Sequence, residues 1–453
     1  MNWNRISSIA ALLTVPLAPA LAASMPEDNG SSQAAGSPPA PASRSFADWS
    51  PLEKLPAWLQ LGGEIRGRFE RTSGTSLTNN APDTYYLNRL RVHLGIKPTS
   101  WLRFYAETQD ARVEGYNQPV APSTMYNPLD LRQAFVEVST HGLLNFDLRA
   151  GRQELLFGGQ RLIGPADWGM SRTFDALDLA VTRGNAKVDL LAGSAVLIDP
   201  TRFDRHKPGE HFYGAYGSLK NLPAGITLEP YLLFKRNLLI KSETGVLGDA
   251  LVVTPGARVF GKAPGGLDYV AEVVVQRGAY SSDRIAAMGQ SYVLGWTITD
   301  KRWKPRVSGE YSYASGDPAA KDGLRGTFDQ FYPSNHGYYG MIDQFGWKNL
   351  KNWRAGIDFQ IGKKLTLRSD VNDFSLATVE DSLYDSSGSS AVLNRNATSA
   401  HIGWETNTVA LYQWSKVWKF GAGYGHLFAG QYLEQSKVTF GYTYPYLFFT
   451  GSF

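Results

Sequence analysis

The sequence predicts an all-β fold, a transmembrane antiparallel β-barrel of about 18 strands formed by one monomeric chain. Three observations support this prediction. Apolar and charged residues alternate with period two from Leu59 onward, the connections between predicted strands are alternately short and long, and the chain ends in an aromatic strand at Phe453. Apolar residues at every second position suit a wall with lipid on one side and water on the other.

The composition of the 453-residue chain agrees with such a wall. Aromatic residues make up 13% of the chain and glycine contributes 46 residues, yet no stretch after the N-terminus is long and apolar enough for a transmembrane helix. The chain has no cysteine, which excludes disulfides, thiolate metal ligands and cysteine nucleophiles. A large secreted β-sandwich has a similar composition, and the connections described below separate the two folds.

Two segments precede the barrel, which is expected to occupy residues 59–453. Residues 1–22 combine Arg5, a short apolar run and small residues at 20–22, which predicts a secretory signal peptide. Residues 23–58 are rich in Pro, Ala and Ser and are expected to form a flexible periplasmic linker. The net charge of +4 falls by one when Arg5 is removed, and this near-neutral balance alone says little about partners. We expect no nucleic-acid partner.

Period-two alternation places apolar and charged side chains on opposite faces of each predicted strand. In residues 59–70 one face carries Leu59, Leu61, Ile65 and Phe69, and the other carries Gln60, Glu64, Arg66, Arg68 and Glu70. The pattern predicts strands at 59–71, 85–98, 100–115, 129–140, 145–158, 173–183, 185–198, 211–221, 225–238, 249–262, 265–279, 290–300, 305–316, 351–362, 364–376, 398–413, 417–429 and 437–453.

The connections provide an independent check on the strand assignment. Those after even-numbered strands are short, as at 97–100, 184–185, 221–224, 263–265 and 362–364. Those after odd-numbered strands are mostly long, as at 159–172, 199–210, 317–350 and 377–397. Short periplasmic turns and long extracellular loops characterise barrels of the outer membrane of Gram-negative cells. Loops 159–172 and 317–350 are candidates for folding inward and narrowing a pore.

The last strand and the tryptophans indicate how the barrel meets its surroundings. Phe440, Tyr442, Tyr444, Tyr446 and Phe448 alternate along the C-terminal strand, which resembles the signal read by the barrel-assembly machinery. Outer-membrane lipid is the second expected partner, because tryptophans lie near strand ends as in interfacial girdles. These tryptophans are Trp101, Trp296, Trp303, Trp404 and Trp418.

The charged face of the strands is expected to line the lumen, and it is rich in arginine. Always-charged guanidiniums bind carboxylates bidentately, and rings of Arg or Lys give pores a preference for anions. The candidates are Arg66, Arg68, Arg89, Arg91, Arg103, Arg149, Arg258, Arg306, Arg354 and Arg368. The alternative interpretation is a ladder of both charges that stiffens the wall, with Glu107, Glu137, Asp147, Asp178, Glu272, Glu310, Asp358, Asp370 and Glu405 as acidic partners.

Four of these arginines form the strongest candidate for a functional patch. Arg66 and Arg68 lie on the first predicted strand, and Arg89 and Arg91 lie on the second. Adjacent antiparallel strands bring such side chains together. The nearest expected acidic partners are Glu64 and Glu70 on the first strand.

Catalytic and metal-binding motifs do not appear in the sequence. There is no G-x-S-x-G elbow, no H-E-x-x-H and no pair of histidines at metal-ligand spacing. The spaced glycines Gly421, Gly423 and Gly425 lie within a predicted strand and fit a crowded barrel wall better than a phosphate loop. We therefore expect no enzyme activity, no cofactor and no metal site. A barrel enzyme remains the alternative from a different functional class.

Two segments resemble a known family. They are LRAGRQELLFGGQRLIGPADWGMSRTFDALDLAV at 148–181 and GTFDQFYPSNHGYYGMIDQFGWKNLKN at 326–352. Together with LNRLRVHLGI (87–96), LRQAFVEV (131–138) and HIGWETNTVALYQW (401–414), they are similar to the alginate export family of outer-membrane porins. The resemblance extends over the barrel from about residue 59, whereas the Pro/Ala/Ser-rich linker is not a family feature.

The resemblance implies an 18-stranded barrel with an arginine-rich lumen, through which a polyuronate moves without energy input from the pore. It carries five residues over as family positions, with Arg152 and Arg161 expected to face the pore mouth. The full set is Arg152, Gln153, Arg161, Arg172 and Asp175. In the second segment His336, Tyr338, Asp343 and Asn349 are expected to serve loop architecture.

Two transport functions remain open from the sequence. One is passive export or diffusion of an anionic polysaccharide or oligosaccharide, with an alginate-like polyuronate as the expected substrate. The other is uptake of oligouronates or small organic acids. A passive pore follows the gradient of its solute, so the sequence does not set the direction of transport. Neighbouring genes for polymer synthesis or polymer degradation would separate the two functions.

Overall fold

The computed structural model describes residues 55–74, 76–118, 121–140 and 142–453, which form one closed antiparallel barrel of 18 strands. The expected signal peptide and most of the expected linker lie outside the described residues. The strands are Leu59–Thr72 (β1), Asp83–Thr99 (β2), Leu102–Glu114 (β3), Asn127–Thr140 (β4), Asn145–Gln153 (β5), Phe174–Arg183 (β6), Ala186–Leu197 (β7), Glu210–Leu222 (β8), Ile226–Lys241 (β9), Leu247–Ala263 (β10), Leu267–Tyr280 (β11), Asp283–Thr297 (β12), Arg306–Ala314 (β13), Leu350–Ile361 (β14), Leu365–Leu376 (β15), His401–Gln413 (β16), Trp418–Ala429 (β17) and Tyr442–Ser452 (β18).

The barrel closes where the last strand pairs with the first. Each strand is antiparallel to its neighbours in sequence, and β18 pairs with β1 from Glu64 opposite Ser452 to Glu70 opposite Tyr446. Backbone hydrogen bonds between Gly63 and the C-terminal Phe453 extend this seam. Closure leaves no sheet edge, which a wall in lipid requires because unpaired backbone groups are costly there.

The connections divide the barrel into a short-turn end and a long-loop end. The long-loop end carries the segments 115–126 (L2), 154–173 (L3), 198–209 (L4), 315–349 (L7) and 377–400 (L8). A five-residue helix, Gln431–Gln435 (α1), precedes β18 at the same end. Among the described residues, no helix is long and apolar enough to cross a membrane.

The two faces of the wall differ as the alternation predicts. Phe69 is 58% exposed on the outer face of β1, whereas the neighbouring Arg68 is 5% exposed on the inner face. Exposed aromatic residues lie towards both ends of the wall, as in the interfacial girdles of outer-membrane barrels. Trp58, Trp101, Trp296, Trp303 and Trp414 lie at the short-turn end, and Trp353, Trp404 and Phe428 lie towards the long-loop end.

All 18 predicted strands are present, and the limits of three of them differ from the prediction by five residues or more at one end. β5 ends at Gln153 rather than at 158, because the chain turns into the barrel and packs Leu155 and Phe157 there. β12 begins at Asp283 rather than at 290, since the small residues of its first half concealed the alternation. β18 begins at Tyr442 rather than at 437, where the segment after α1 is not in the sheet.

L3 and L7 fold into the barrel, as the sequence led us to expect for the loops after the fifth and thirteenth strands. They pair with each other through Ile163 and Tyr332, and Gly164 N–H donates to the Tyr332 carbonyl at 2.9 Å. Their contacts reach inward-facing side chains of β1, β2, β8, β9, β13 and β16. Phe328, Phe345 and Trp347 of L7 are fully buried, so the two loops form a packed core inside the barrel.

The opposite faces of β2 predict opposite responses to added charge. Val92, near the middle of β2, faces outward, and its neighbour His93 faces inward beside Glu107. Val92→Lys is expected to destabilise the barrel by about 2–4 kcal/mol, since it places an ammonium in the hydrocarbon. His93→Lys adds a charge one residue away and is expected to have little effect. Urea unfolding in lipid vesicles measures both, and equal losses would contradict the assignment of faces.

Candidate pore-lining site

Strand register brings the predicted arginine patch together on β1 and β2. Arg66 lies directly opposite Arg89, and Glu64 lies directly opposite Arg91. Because side chains alternate along a strand, Arg66 and Arg68 both point inward, as do Arg89 and Arg91. The sequence-predicted patch therefore exists as one cluster of four guanidiniums on the inner wall.

A carboxylate from L3 lies in the middle of this cluster. Asp167 accepts hydrogen bonds from Arg89 at 2.9 and 3.1 Å and from Arg91 at 2.6 Å. The nearest Arg66 nitrogen is 4.0 Å from the same carboxylate. Burial alone raises the pKa of Asp167, but the positive charges of Arg89, Arg91 and Arg66 outweigh it and hold the pKa well below its usual value.

The backbone of L3 is held by the same wall. Arg66 donates to the carbonyl oxygens of Asp167, Trp168 and Gly169, each at 2.9 Å. Arg68 donates to the Trp168 carbonyl and pairs with Glu70. These contacts fix three consecutive residues of L3 against β1.

The sequence analysis missed Asp167, and its expectation that Glu64 and Glu70 are the close partners was incomplete. Glu64 does pair with Arg89 at 2.6 Å, but Asp167 also contacts Arg91 at 2.6 Å. Asp167 is about a hundred residues from β1 and lies in a loop, so no strand periodicity connects it to the patch. The available signal was a single carboxylate between Pro165 and Gly169 in a loop already expected to fold inward.

Trp168 anchors L3 within an aromatic cluster. Its ring stacks on His336 of L7, with centroids 4.4 Å apart and an interplanar angle of 7°. The Arg68 guanidinium lies 4.1 Å from the Trp168 ring centroid, and the indole N–H donates to the Tyr444 hydroxyl at 3.1 Å. The His336 Nδ1 atom lies 2.8 Å from Asp343, so these two residues form a contact within L7.

Arg161 lies inside the barrel rather than at the pore mouth, where the sequence analysis expected it. Its guanidinium pairs with Glu310 of β13, which also pairs with Arg354 of β14. Arg161 donates to the Tyr339 hydroxyl at 2.8 Å and lies 4.2 Å from the Tyr338 ring centroid. L3 is therefore tied to β13 as well as to β1 and β2.

The other family positions hold L3 and its neighbours in place. Arg152 pairs with Asp175 at 2.8 Å, and Gln153 donates to the Ala176 carbonyl at 2.9 Å. Arg172 donates to the carbonyls of Gly164 and Pro333, each at 3.1 Å. Burial lowers the pKa of Arg172 to about 10, so the guanidinium stays charged at neutral pH.

The remaining predicted arginines pair with carboxylates on neighbouring strands. Arg103 and Arg149 share Glu137, at 3.8 and 2.9 Å. Arg368 lies 3.9 Å from Asp358, which also pairs with Arg306 at 3.1 Å. Arg258 pairs with Glu229 at 2.8 Å. This arrangement has the geometry of a charge ladder along the wall, the alternative that the sequence left open.

A comparison with known protein families identifies the family of this chain. The model of the family described as "Alginate export" matches residues 57–440, most of the chain. The protein belongs to the alginate export family. No curated protein matches the sequence significantly.

Solved structures similar to this alginate export family member come from Pseudomonas aeruginosa. OccK3 (OpdO) has a TM-score of 0.59 and 12% identity, covering 87% of this chain and 95% of that chain. The outer membrane protein OpdK has a TM-score of 0.57 and 11% identity, covering 87% and 98%. A structure of OpdK with vanillate has a TM-score of 0.55 and 10% identity, with the same coverage. At these identities the likeness concerns the fold, that of an outer-membrane porin.

In this outer-membrane pore, arginines of the inner wall pair with carboxylates of the protein's own loops and strands. In the described part of the chain, no group of three or more potential ligands is placed to hold a metal ion. The chemistry that the site offers is charge-assisted hydrogen bonding from guanidiniums, as the Asp167 carboxylate illustrates.

Glu310 is expected to be essential for holding L3 against β13. Glu310→Gln removes the carboxylate that the buried guanidiniums of Arg161 and Arg354 share, which is expected to cost about 3–5 kcal/mol of unfolding free energy. Asp249→Asn removes the partner of the exposed Arg236 and serves as the control, with an expected loss of about 0–1 kcal/mol. Denaturant unfolding measures both. Similar losses would show that the buried network contributes no more than a surface pair.

The lowered pKa of Asp167 predicts a specific pH dependence. A carboxyl group whose pKa is lower in the folded state stabilises the fold above its unfolded pKa of about 3.9, and this contribution disappears as pH falls through the folded pKa. The difference in unfolding free energy between the wild type and Asp167→Asn is therefore expected to be equal at pH 8 and pH 5. It should shrink only below about pH 4. Urea unfolding at several pH values tests this, and a difference that shrinks between pH 8 and 5 would contradict it.

Proposed function

We propose that the protein is a passive outer-membrane pore for an anionic polysaccharide, an alginate-like polyuronate. The polymer moves down its gradient, and the wall arginines compensate for partial loss of water from each carboxylate through charge-assisted hydrogen bonds. Several weak sites in series allow a chain to advance without being trapped. Membership of the alginate export family supports this substrate class.

One observation carries the proposal. Arg89 and Arg91, with Arg66 nearby, hold a carboxylate inside the barrel at hydrogen-bonding distance. A uronate presents the same functional group on every sugar. The guanidiniums are fixed by neighbours, since Arg91 Nε donates to Gln109 at 2.8 Å, and fixed donors bind a carboxylate with less loss of side-chain entropy.

Uptake of oligouronates or small organic acids is the second candidate function. The structurally similar OpdK was solved with vanillate, a small aromatic carboxylate. L3 and L7 occupy the interior of this barrel, and a narrowed lumen suits a small acid as well as an extended polymer. Both candidates require the same carboxylate-binding wall, and they differ in the length of the preferred anion.

Planar-bilayer recording separates these functions. The wild type is expected to give an anion-selective reversal potential under a salt gradient, with current blocked by polymannuronate or polyguluronate but not by a neutral dextran. Arg89→Gln combined with Arg91→Gln is expected to shift the reversal potential towards zero, because two fixed positive charges leave the lumen. Block by vanillate at lower concentration than by polyuronate would favour the small-acid function.

Two exposed arginines supply the matched control. Arg112→Gln combined with Arg236→Gln removes the same charge from positions whose side chains are 53% and 54% exposed. This variant is expected to keep the wild-type reversal potential. Selectivity that survives the Arg89 and Arg91 substitutions, or that falls equally in the control, would contradict the assignment of these residues.

A further inference from the structure

The Asp167 carboxylate occupies the position where a transported carboxylate would bind. We propose that Asp167 is a built-in competitor at a carboxylate-binding site formed by Arg89 and Arg91. Each carboxylate of the passing anion displaces the Asp167 side chain, and Asp167 returns and displaces that carboxylate in turn. This inference rests on the proposed function, because it requires an anion in the lumen.

The exchange involves the side chain and leaves the loop in place. Arg66 holds three backbone carbonyls of L3, and Arg68 holds the Trp168 carbonyl. The Trp168 ring is fixed by its stack on His336 and its hydrogen bond to Tyr444. None of these contacts uses the Asp167 carboxylate, so rotation of that side chain leaves the rest of L3 anchored.

Unlike the Glu310 carboxylate, the Asp167 carboxylate is partly accessible to solvent. Its side chain is 22% exposed, whereas that of Glu310 is 0% exposed. Asp167 therefore has a solvent contact that Glu310 lacks. This difference separates an exchangeable contact from a structural one within the same loop, because L3 supplies Asp167 to one pair and Arg161 to the other.

The cluster remains partly compensated when Asp167 leaves. Arg89 keeps its contact with Glu64 at 2.6 Å, and Arg91 keeps its hydrogen bond from Nε to Gln109 at 2.8 Å. The Arg91 Nη2 group is then free for the incoming carboxylate. The displaced state thus holds an oriented guanidinium rather than a collapsed cluster.

A tethered competitor solves a problem that any binding pore faces. A site must attract its solute and still release it quickly. A group attached nearby has an effective concentration of about millimolar or higher, so it competes continuously for the site. A polymer presents many carboxylates in succession and exchanges with Asp167 repeatedly, whereas a monomeric acid must reach a comparable concentration to do so.

Single-channel recording with an oligouronate tests the proposal. Asp167→Asn removes the competitor while keeping the size of the side chain, and it is expected to lengthen individual block events about tenfold. The half-blocking concentration is expected to fall by the same factor. Asp167→Glu keeps a carboxylate at this position and is expected to give block events close to those of the wild type. Unchanged block events in Asp167→Asn would overturn the proposal.

Glu64→Gln distinguishes competition from a simple gain of positive charge. Both Glu64→Gln and Asp167→Asn raise the charge of the cluster by one, but only the second empties the site. In Glu64→Gln, Asp167 is the remaining charged partner of Arg89 and still competes with the oligouronate for the site. Block events are therefore expected not to lengthen. Equal lengthening in both variants would overturn the proposal. Asp199→Asn, in L4, controls for removal of a loop carboxylate of similar exposure elsewhere, since the Asp199 side chain is 19% exposed.

A measurement on the unmodified protein applies even if Asp167→Asn does not fold. A methyl-esterified oligouronate lacks the charged group that displaces Asp167 and is expected to produce no block, whereas the free acid blocks. Equal block by both forms would overturn the proposal. Failure of the proposed function has a different signature: no anion selectivity and no block, in the wild type and in Asp167→Asn alike.

Discussion

Complete pairing of the backbone is the constraint on which this structure depends. Inside a membrane an unpaired amide or carbonyl has no water to bind, so a β-sheet is stable there only when its last strand returns to its first. Here the pairing of β18 with β1, extended by Phe453 and Gly63, satisfies that constraint. The candidate site depends on this closure, because a closed barrel has an interior that is separated from lipid. Every second side chain of each strand points into that interior.

The strands of the barrel wall could be predicted almost completely from the sequence. Period-two alternation and the alternating connection lengths located all 18 strands, because lipid on one face and water on the other act on each residue locally. The errors occurred where this local signal weakened. Small residues at the start of β12 carry little contrast between faces, and beyond Gln153 the apolar residues serve a core inside the barrel rather than the lipid face.

The candidate site was predictable only in the part that lies on the wall. Arg66 and Arg89 follow from strand alternation and the register of adjacent strands. Asp167 does not follow from it, since its position depends on the path of an irregular loop, and loop paths are set by long-range contacts such as that of Arg161 with Glu310. Resemblance to the alginate export family identified Arg161 as a family position but placed it at the pore mouth, whereas it lies in the interior.

The attachment of L3 at two places on the wall has a mechanical consequence. L3 is held against β1 and β2 through the backbone carbonyls of Asp167, Trp168 and Gly169, and against β13 through Arg161. Five strands separate β1 from β13 on the shorter arc, so L3 connects two distant parts of the barrel wall across the interior. A barrel connected in this way resists flattening of its circular cross-section. Lateral pressure from the surrounding bilayer is therefore expected to deform the barrel less along the line from β1 to β13 than along other directions.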